Sequence, residues 1–416
     1  MSMPNYKRTK FSCYFLYLSA ASVFALPPML FTTFNEDYGI SYTLLGTLVL
    51  VNFCTQLSID LLFSFFAKYF NIKATVRLMP VLTALGLLVY ASSPWLFKGN
   101  EYIGLLTGTV LFSLAAGLGE VLLSPIIAAI PSEHPERDMS ILHSLYAWGV
   151  LSVVIVSTLF FNIFGRHNWM YLTMYFAALS LISCVLFIFS PIPPMELGHP
   201  DTTKQTSTKS RTVGLALCTA CIFLGGASEN VMTNWISGYV EKALGVSKQY
   251  GDILGLAVFA ILLGTGRILY AKYGKNIINT LILGMLGAII CYLTAGIVNV
   301  PAVALIACIL TGFATSMLWP GTLILMEEKI PHPTVAAYAL MAAGGDFGSS
   351  ISPQLVGIIV DKVSASDFAL RISNTAGIPT DQIGLKVGML ITVLFPFLGL
   401  IVVLCIKKYF TKNSTK

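Results

Sequence analysis

The feature that most constrains this chain is the recurrence of long apolar stretches with almost no charge inside them. A helix needs about twenty mainly apolar residues to cross roughly 30 Å of hydrocarbon, where unpaired backbone groups cannot be left facing lipid. Twelve stretches reach that length, near 11–34, 42–67, 75–97, 102–130, 139–163, 168–192, 212–240, 249–272, 276–298, 301–326, 334–361 and 383–406. Only 11% of the residues are charged and the mean hydropathy is +0.79, whereas a soluble domain carries about 25% charged residues. The expected fold class is therefore an all-α integral membrane protein of twelve transmembrane helices. Lys7, Arg8 and Lys10 precede an apolar stretch too long for the core of a signal peptide, so the first span is expected to be retained.

Basic residues set the expected orientation, because Lys and Arg accumulate in cytoplasmic connections. With both termini in the cytoplasm, the inner segments hold seventeen Lys and Arg and the outer ones seven, while Arg267 lies within a span. The net charge of +6 is then a matter of topology. The lipid bilayer is the expected partner, and no nucleic acid is. All eight cysteines fall in apolar stretches, where a thiol behaves as a small hydrophobe. Cys218 and Cys221 spell C-x-x-C but have neither a second Cys pair nor a nearby His. No metal and no cofactor are expected. The chain has no G-x-x-x-x-G-K-[ST] phosphate loop, which argues against an ATP-driven pump. A membrane enzyme would need a clustered nucleophile or metal set, and a sensor a readout domain; neither is visible.

Two polar connections stand out. Residues 193–211, rich in Pro, Thr and Ser, read as a cytoplasmic linker between an N-terminal bundle over 1–192 and a C-terminal bundle over 212–416. Residues 362–382 are expected on the outer side. The two halves also repeat each other. Ala21-Ser22 and Gly39-Ile40-Ser41 match Ala227-Ser228 and Gly245-Val246-Ser247 at an offset of 206. Ala67-Lys68-Tyr69 matches Ala271-Lys272-Tyr273 at 204, and Gly117 with Pro125 matches Gly312 with Pro320 at 195. Matches in order, at nearly constant offset and at equivalent positions, indicate an internal duplication of two six-helix bundles.

With helix count, linker and duplication in place, the chain resembles the major facilitator superfamily of transporters over nearly its whole length. The run from Gly344 to Asp361, GGDFGSSISPQLVGIIVD, is similar to a Gly-Gly, Pro, Gly, Asp signature of many members. The segment ASENVMTNWISGYV, with Glu229, Trp235 and Tyr239, resembles span 7 of the fucose permease-like sugar transporters. Departures are as informative. Between spans 2 and 3 the family's G-x-x-x-D-[RK]-x-G-[RK]-[RK] keeps Lys68 and Lys73 but loses its acid and glycines. Span 5 lacks the G-x-x-x-G-P element of proton-driven drug exporters and reads LHSLYAWG. The resemblance implies two pseudo-symmetric six-helix bundles with a solute site near the midplane between them.

Ionisable groups at membrane depth cost about 2.5 to 3.5 kcal/mol each on insertion scales, so each is a site candidate. On span 4, Ser113, Gly117, Glu120 and Ser124 fall at i, i+4, i+7 and i+11 and share one face. On span 7, Glu229, Asn230, Asn234, Trp235 and Tyr239 follow the pair Gly225-Gly226; the two aromatics are expected to stack on a sugar ring, or Tyr239 to sit in the interfacial aromatic belt. Asn52, Gln56 and Asp60 form a polar edge on span 2, with Asp60 expected at a gate. His143, Trp148, Trp319 and Asp346 complete the solute or coupling candidates, and Gly344, Gly345 and Gly348 read as close helix packing. Lys68, Lys73, Glu133 and Glu136 in one half, and Arg267, Lys272, Lys275, Glu327 and Glu328 in the other, are expected to form an inner gate.

Together these residues indicate a secondary transporter working by alternating access. The expected partners are a small polar solute such as a sugar and a coupling proton or other cation, and the expected form is a monomer in the plasma membrane that imports its solute. A proton-driven exporter of drugs or metabolites is the second reading, and a membrane sensor without transport the third.

Overall fold

The computed structural model describes residues 6–66, 69–133, 135–194, 208–247, 250–330 and 335–414. Its elements are helices, with no strand among the described residues. The twelve expected spans correspond to α1 (Lys7–Met29), α2 (Tyr42–Phe66), α3 (Ile72–Ala91), α4 (Glu101–Ala129), α5 (Pro135–Phe164), α6 (Trp169–Ile188), α7 (Thr208–Lys242), α8 (Val258–Tyr273), α9 (Ile277–Ile297), α10 (Pro301–Thr315 and Leu318–Lys329), α11 (Val335–Ser364) and α12 (Thr380–Thr392 and Leu394–Ser414). Among the described residues, ten helices are long and apolar enough to cross a membrane. α5 adds the apolar run Trp148–Phe164. α11 is long enough, but Asp346, Ser349, Ser350, Ser352 and Gln354 make it polar for a span. It is tolerated because neighbouring helices hide it: Asp346 and the three serines are all buried. Lys68 and most of the 193–211 linker lie outside the described residues.

The chain forms two compact units, Met1–Ile40 with Val51–His199, and Ser41–Leu50 with Pro200–Lys416. α2 therefore contributes to both, its first residues to the second unit and the remainder to the first.

In the first unit lipid tails give helices no apolar reason to associate, so small polar residues and close packing supply the contact. Ser12 and Ser190 share a hydrogen bond of 2.9 Å between α1 and the end of α6, and Ser19 meets Ser183 at 3.4 Å. Lys10 and Asp138 form an ion pair joining α1 to α5, and Asp138 also accepts from Ser132 at 2.7 Å. Cys13, Leu16, Phe63, Met79, Leu122, Ile126 and Phe187 build a buried apolar cluster from five of its helices. A second core is aromatic, with Phe34, Tyr90 and Trp169 in edge contacts of 5.0 to 6.1 Å between ring centroids.

The second unit is organised on α7 against α11. A Cβ built on Gly348 would lie 2.0 Å from the Phe223 carbonyl oxygen, and one on Gly344 2.7 Å from the Thr219 methyl, so glycine is what lets these backbones approach. At the far end of α11, Asp361 holds the start of α2: its carboxylate accepts from the Tyr42 and Thr43 amides at 3.1 and 2.6 Å. These amides begin a helix and have no partner within it, and a carboxylate also suits the positive end of the helix dipole. The 362–382 connection is ordered as the helix Asp367–Ala376, capped by Ser366 and closed by Gly377 at φ +66°. α8 is entered through a π-helical turn, Gly251–Ala257, in which buried Asp252 accepts a hydrogen bond from Ser237.

Candidate functional site

The polar edge of α2 and the polar face of α4 meet within the first unit. Asn52 Oδ1 accepts from Gln56 at 2.7 Å and from Ser113 at 2.8 Å. Gly117 lets α4 close onto α2, since a Cβ there would lie 3.0 Å from Ile59 Cβ and 3.1 Å from Gln56 Cα. One turn further the same two faces carry Asp60 and Glu120, whose carboxylate oxygens come within 4.8 Å. Asn52, Gln56 and Ser113 are buried, whereas Asp60 is half-buried and Glu120 exposed. By the 1.5 Å rise, Glu120 lies about 14 Å from the Ala129 end of α4, within the apolar span Glu101–Leu123. The fixed hydrogen bonds thus hold in place a carboxylate pair that remains accessible.

In the second unit Glu229 pairs with Arg267 of α8, Oε1 to Nη2 at 3.5 Å, and Arg267 Nε donates to the Ser316 carbonyl at 3.1 Å. Arg267, expected at the inner gate, is instead part of this cluster. Asn230 donates to Ser349 of α11 at 2.8 Å, and Asn234 donates back to the Asn230 carbonyl at 2.9 Å. Trp319 is half-buried and lies over Gly345, where a Cβ would meet its ring at 2.3 Å, and beside Gly226. Asp346 is buried.

Two aromatics do not fit the expected stacking role. Trp235 is 1% exposed, donates its indole N–H to the Pro353 carbonyl at 3.1 Å and packs on the Tyr42 ring at 5.9 Å. Tyr239 is fully buried and its hydroxyl donates to the Ala295 carbonyl. Burial also removes Tyr239 from an interfacial belt. Both seal helix contacts because a ring that satisfies its own polar atom fills interhelical space well. Trp148 is exposed. The side chains of His143, Glu136 and Glu327 lie outside those described, as does Lys68. Lys73, Glu133, Lys272, Lys275 and Glu328 are exposed, and none takes part in an ion pair among the described residues.

Two buried acids are not marked out by the sequence pattern. Asp252 sits at the start of a span and qualifies by depth alone. Asp138 stands one residue before the expected start of span 5, where it read as loop; Lys10, its partner, is remote in sequence and gave no signal.

A sequence profile of the Major Facilitator Superfamily matches residues 11–353. The chain belongs to the Major Facilitator Superfamily. Solved structures agree with this fold. A bacterial homologue of the human lysosomal transporter Spinster, inward-facing and unoccupied, aligns over 99% of both chains with a TM-score of 0.77 at 14% identity. The xylose transporter XylE from E. coli, inward open, has a TM-score of 0.70 at 16% identity, covering 94% of this chain and 95% of its own. The E. coli fucose:proton symporter FucP has a TM-score of 0.57 at 15% identity, covering 95% and 99%. At such identities the likeness concerns the fold. No curated protein sequence matches the chain. This facilitator superfamily member is thus a multi-pass membrane protein of a transporter family, with two polar clusters at membrane depth.

Proposed function

We propose that the chain is a secondary active transporter that imports a small polar solute, such as a sugar, together with a proton, by alternating access of its two halves. The observation that carries this reading is the Asp60–Glu120 pair. Two carboxylates within 4.8 Å at membrane depth repel each other when both are charged, so a proton shared between them is the natural way to hold them there. Glu120 is exposed, which gives that proton a route in and out. Sugar as the solute class rests on the resemblance of the α7 segment to fucose permease-like transporters, and the structural neighbours include a fucose:proton symporter and a xylose transporter. Both termini are placed in the cytoplasm and the protein in the plasma membrane as a monomer, the exposed charges at the helix ends forming the inner gate.

Proton flux tests this reading. Solutes from a sugar library, added to unbuffered proteoliposomes at equal pH inside and out, should alkalinise the medium when the transported one is reached. Radiolabelled uptake of a solute without any pH change would sink the proton-coupled reading.

A further inference from the structure

The Arg267 guanidinium is held by protein groups on one side and left open on the other. Nε donates to the Ser316 carbonyl, and Nη2 faces Glu229 at 3.5 Å, a long contact for a charge-assisted pair. Its side chain is 41% exposed while that of Glu229 is 17% exposed. A guanidinium has five N–H donors; with Nε on Ser316 and Nη2 on Glu229, Nη1 has no acceptor among the described residues. The guanidinium is turned toward Glu229 of α7 and Ser316. Gly266 packs directly on Ser316 of α10, the Arg267 side chain reaches α7 and α10, and the next residues, Ile268 and Leu269, are the ones exposed. An arginine inside a span is costly unless neutralised, and Glu229 neutralises it without filling its hydrogen-bonding capacity. Glu229 Oε2 is itself buried and accepts no hydrogen bond among the described residues.

We propose that Arg267 is the anchor for a carboxylate on the solute, so that the transported class is a sugar acid or similar hydroxylated carboxylate rather than a neutral sugar. The inference rests on the reading of the chain as a small-solute transporter. Ser316 and Glu229 aim the guanidinium plane, and its end-on fork takes the two oxygens of the solute carboxylate, the bidentate geometry for which arginine is suited. Glu229 keeps the empty site neutral. Asn230, half-buried and bonded to Ser349, stands one residue from Glu229 as a group for solute hydroxyls. A lysine at 267 would keep the charge but lose the fork.

The test is equilibrium binding to the purified full chain in detergent, with probe pairs that differ in one carboxylate: D-glucuronate against D-glucose, and D-gluconate against D-glucitol. At least one acid should bind and raise the melting temperature while its neutral partner does not. Arg267→Gln should weaken that acid by about thirtyfold or more, and Arg267→Lys should fall between. Glu229→Gln keeps an acceptor oxygen to aim Nη2 but removes the competing negative charge, so it should bind the acid more tightly than the unmodified protein, and it guards against Arg267 variants that fail to fold. Neutral partners binding as well as the acids, no acid binding at all, or Arg267→Gln binding unchanged would each overturn the proposal. No gradient is present in this measurement, so a failure of proton coupling shows in the alkalinisation assay and leaves this result unaffected.

Discussion

Proteoliposomes carrying Glu120→Gln should equilibrate the solute down its own gradient yet fail to accumulate it under an imposed pH gradient. With one proton per solute, the unmodified protein should reach about tenfold accumulation per pH unit, since each factor of ten in concentration corresponds to about 1.4 kcal/mol; the variant should stay near equal concentrations. Glutamine keeps the shape and hydrogen-bonding capacity of glutamate but exchanges no proton. The architecture around it should survive, because the contacts that join α2 to α4 are made by Asn52, Gln56, Ser113 and Gly117. Asp60→Asn should behave in the same way if the two carboxylates act as a pair. Loss of solute binding in Glu120→Gln would make the residue a solute ligand instead, and normal accumulation would exclude it from both roles. Glu229→Gln belongs in the same experiment, because the two acids can divide the work between the halves.

Trp235→Ala should destabilise the protein by about 3 kcal/mol, the lower end of the range for removing a buried Trp or Phe side chain, since lipid rather than water is the competing environment. The indole is 1% exposed, and its loss leaves a cavity against α11 and Tyr42 and an unbonded Pro353 carbonyl. Trp95→Ala, at a position 50% exposed, should change stability by less than about 0.5 kcal/mol. Thermal unfolding in one detergent, followed by tryptophan fluorescence or by aggregation, checks both. A solute affinity that falls in Trp235→Ala with no loss of stability would return the residue to the solute site.

The contrast between these residues shows what was legible in the sequence. Helix periodicity places side chains on faces, so the Asn52, Gln56, Asp60 edge and the Ser113, Gly117, Glu120 face were both readable, and the structure packs them against each other. The α11 glycines were equally readable as packing positions, because a missing Cβ has one obvious use where helices cross. What periodicity cannot give is the partner across the gap. Trp235 reads as a ring for stacking on a sugar, and only the α11 carbonyl that receives its N–H shows it to be sealed. Arg267 reads as an intramembrane charge and as a gate residue, and only its contacts with Glu229 and Ser316 show which groups it serves. Helix boundaries were approximate for a similar reason. Asp361 fixes where α2 begins, and that contact spans most of the chain in sequence.

A proton gradient is expected to drive solute into vesicles through this chain. The most direct measurement is uptake into proteoliposomes with pH and Na+ gradients imposed separately at equal membrane potential. Inward proton gradients should drive accumulation above the external concentration, and collapsing them with a protonophore should return the solute to equilibrium. Accumulation driven by Na+ and indifferent to pH, or none under either gradient, would contradict it.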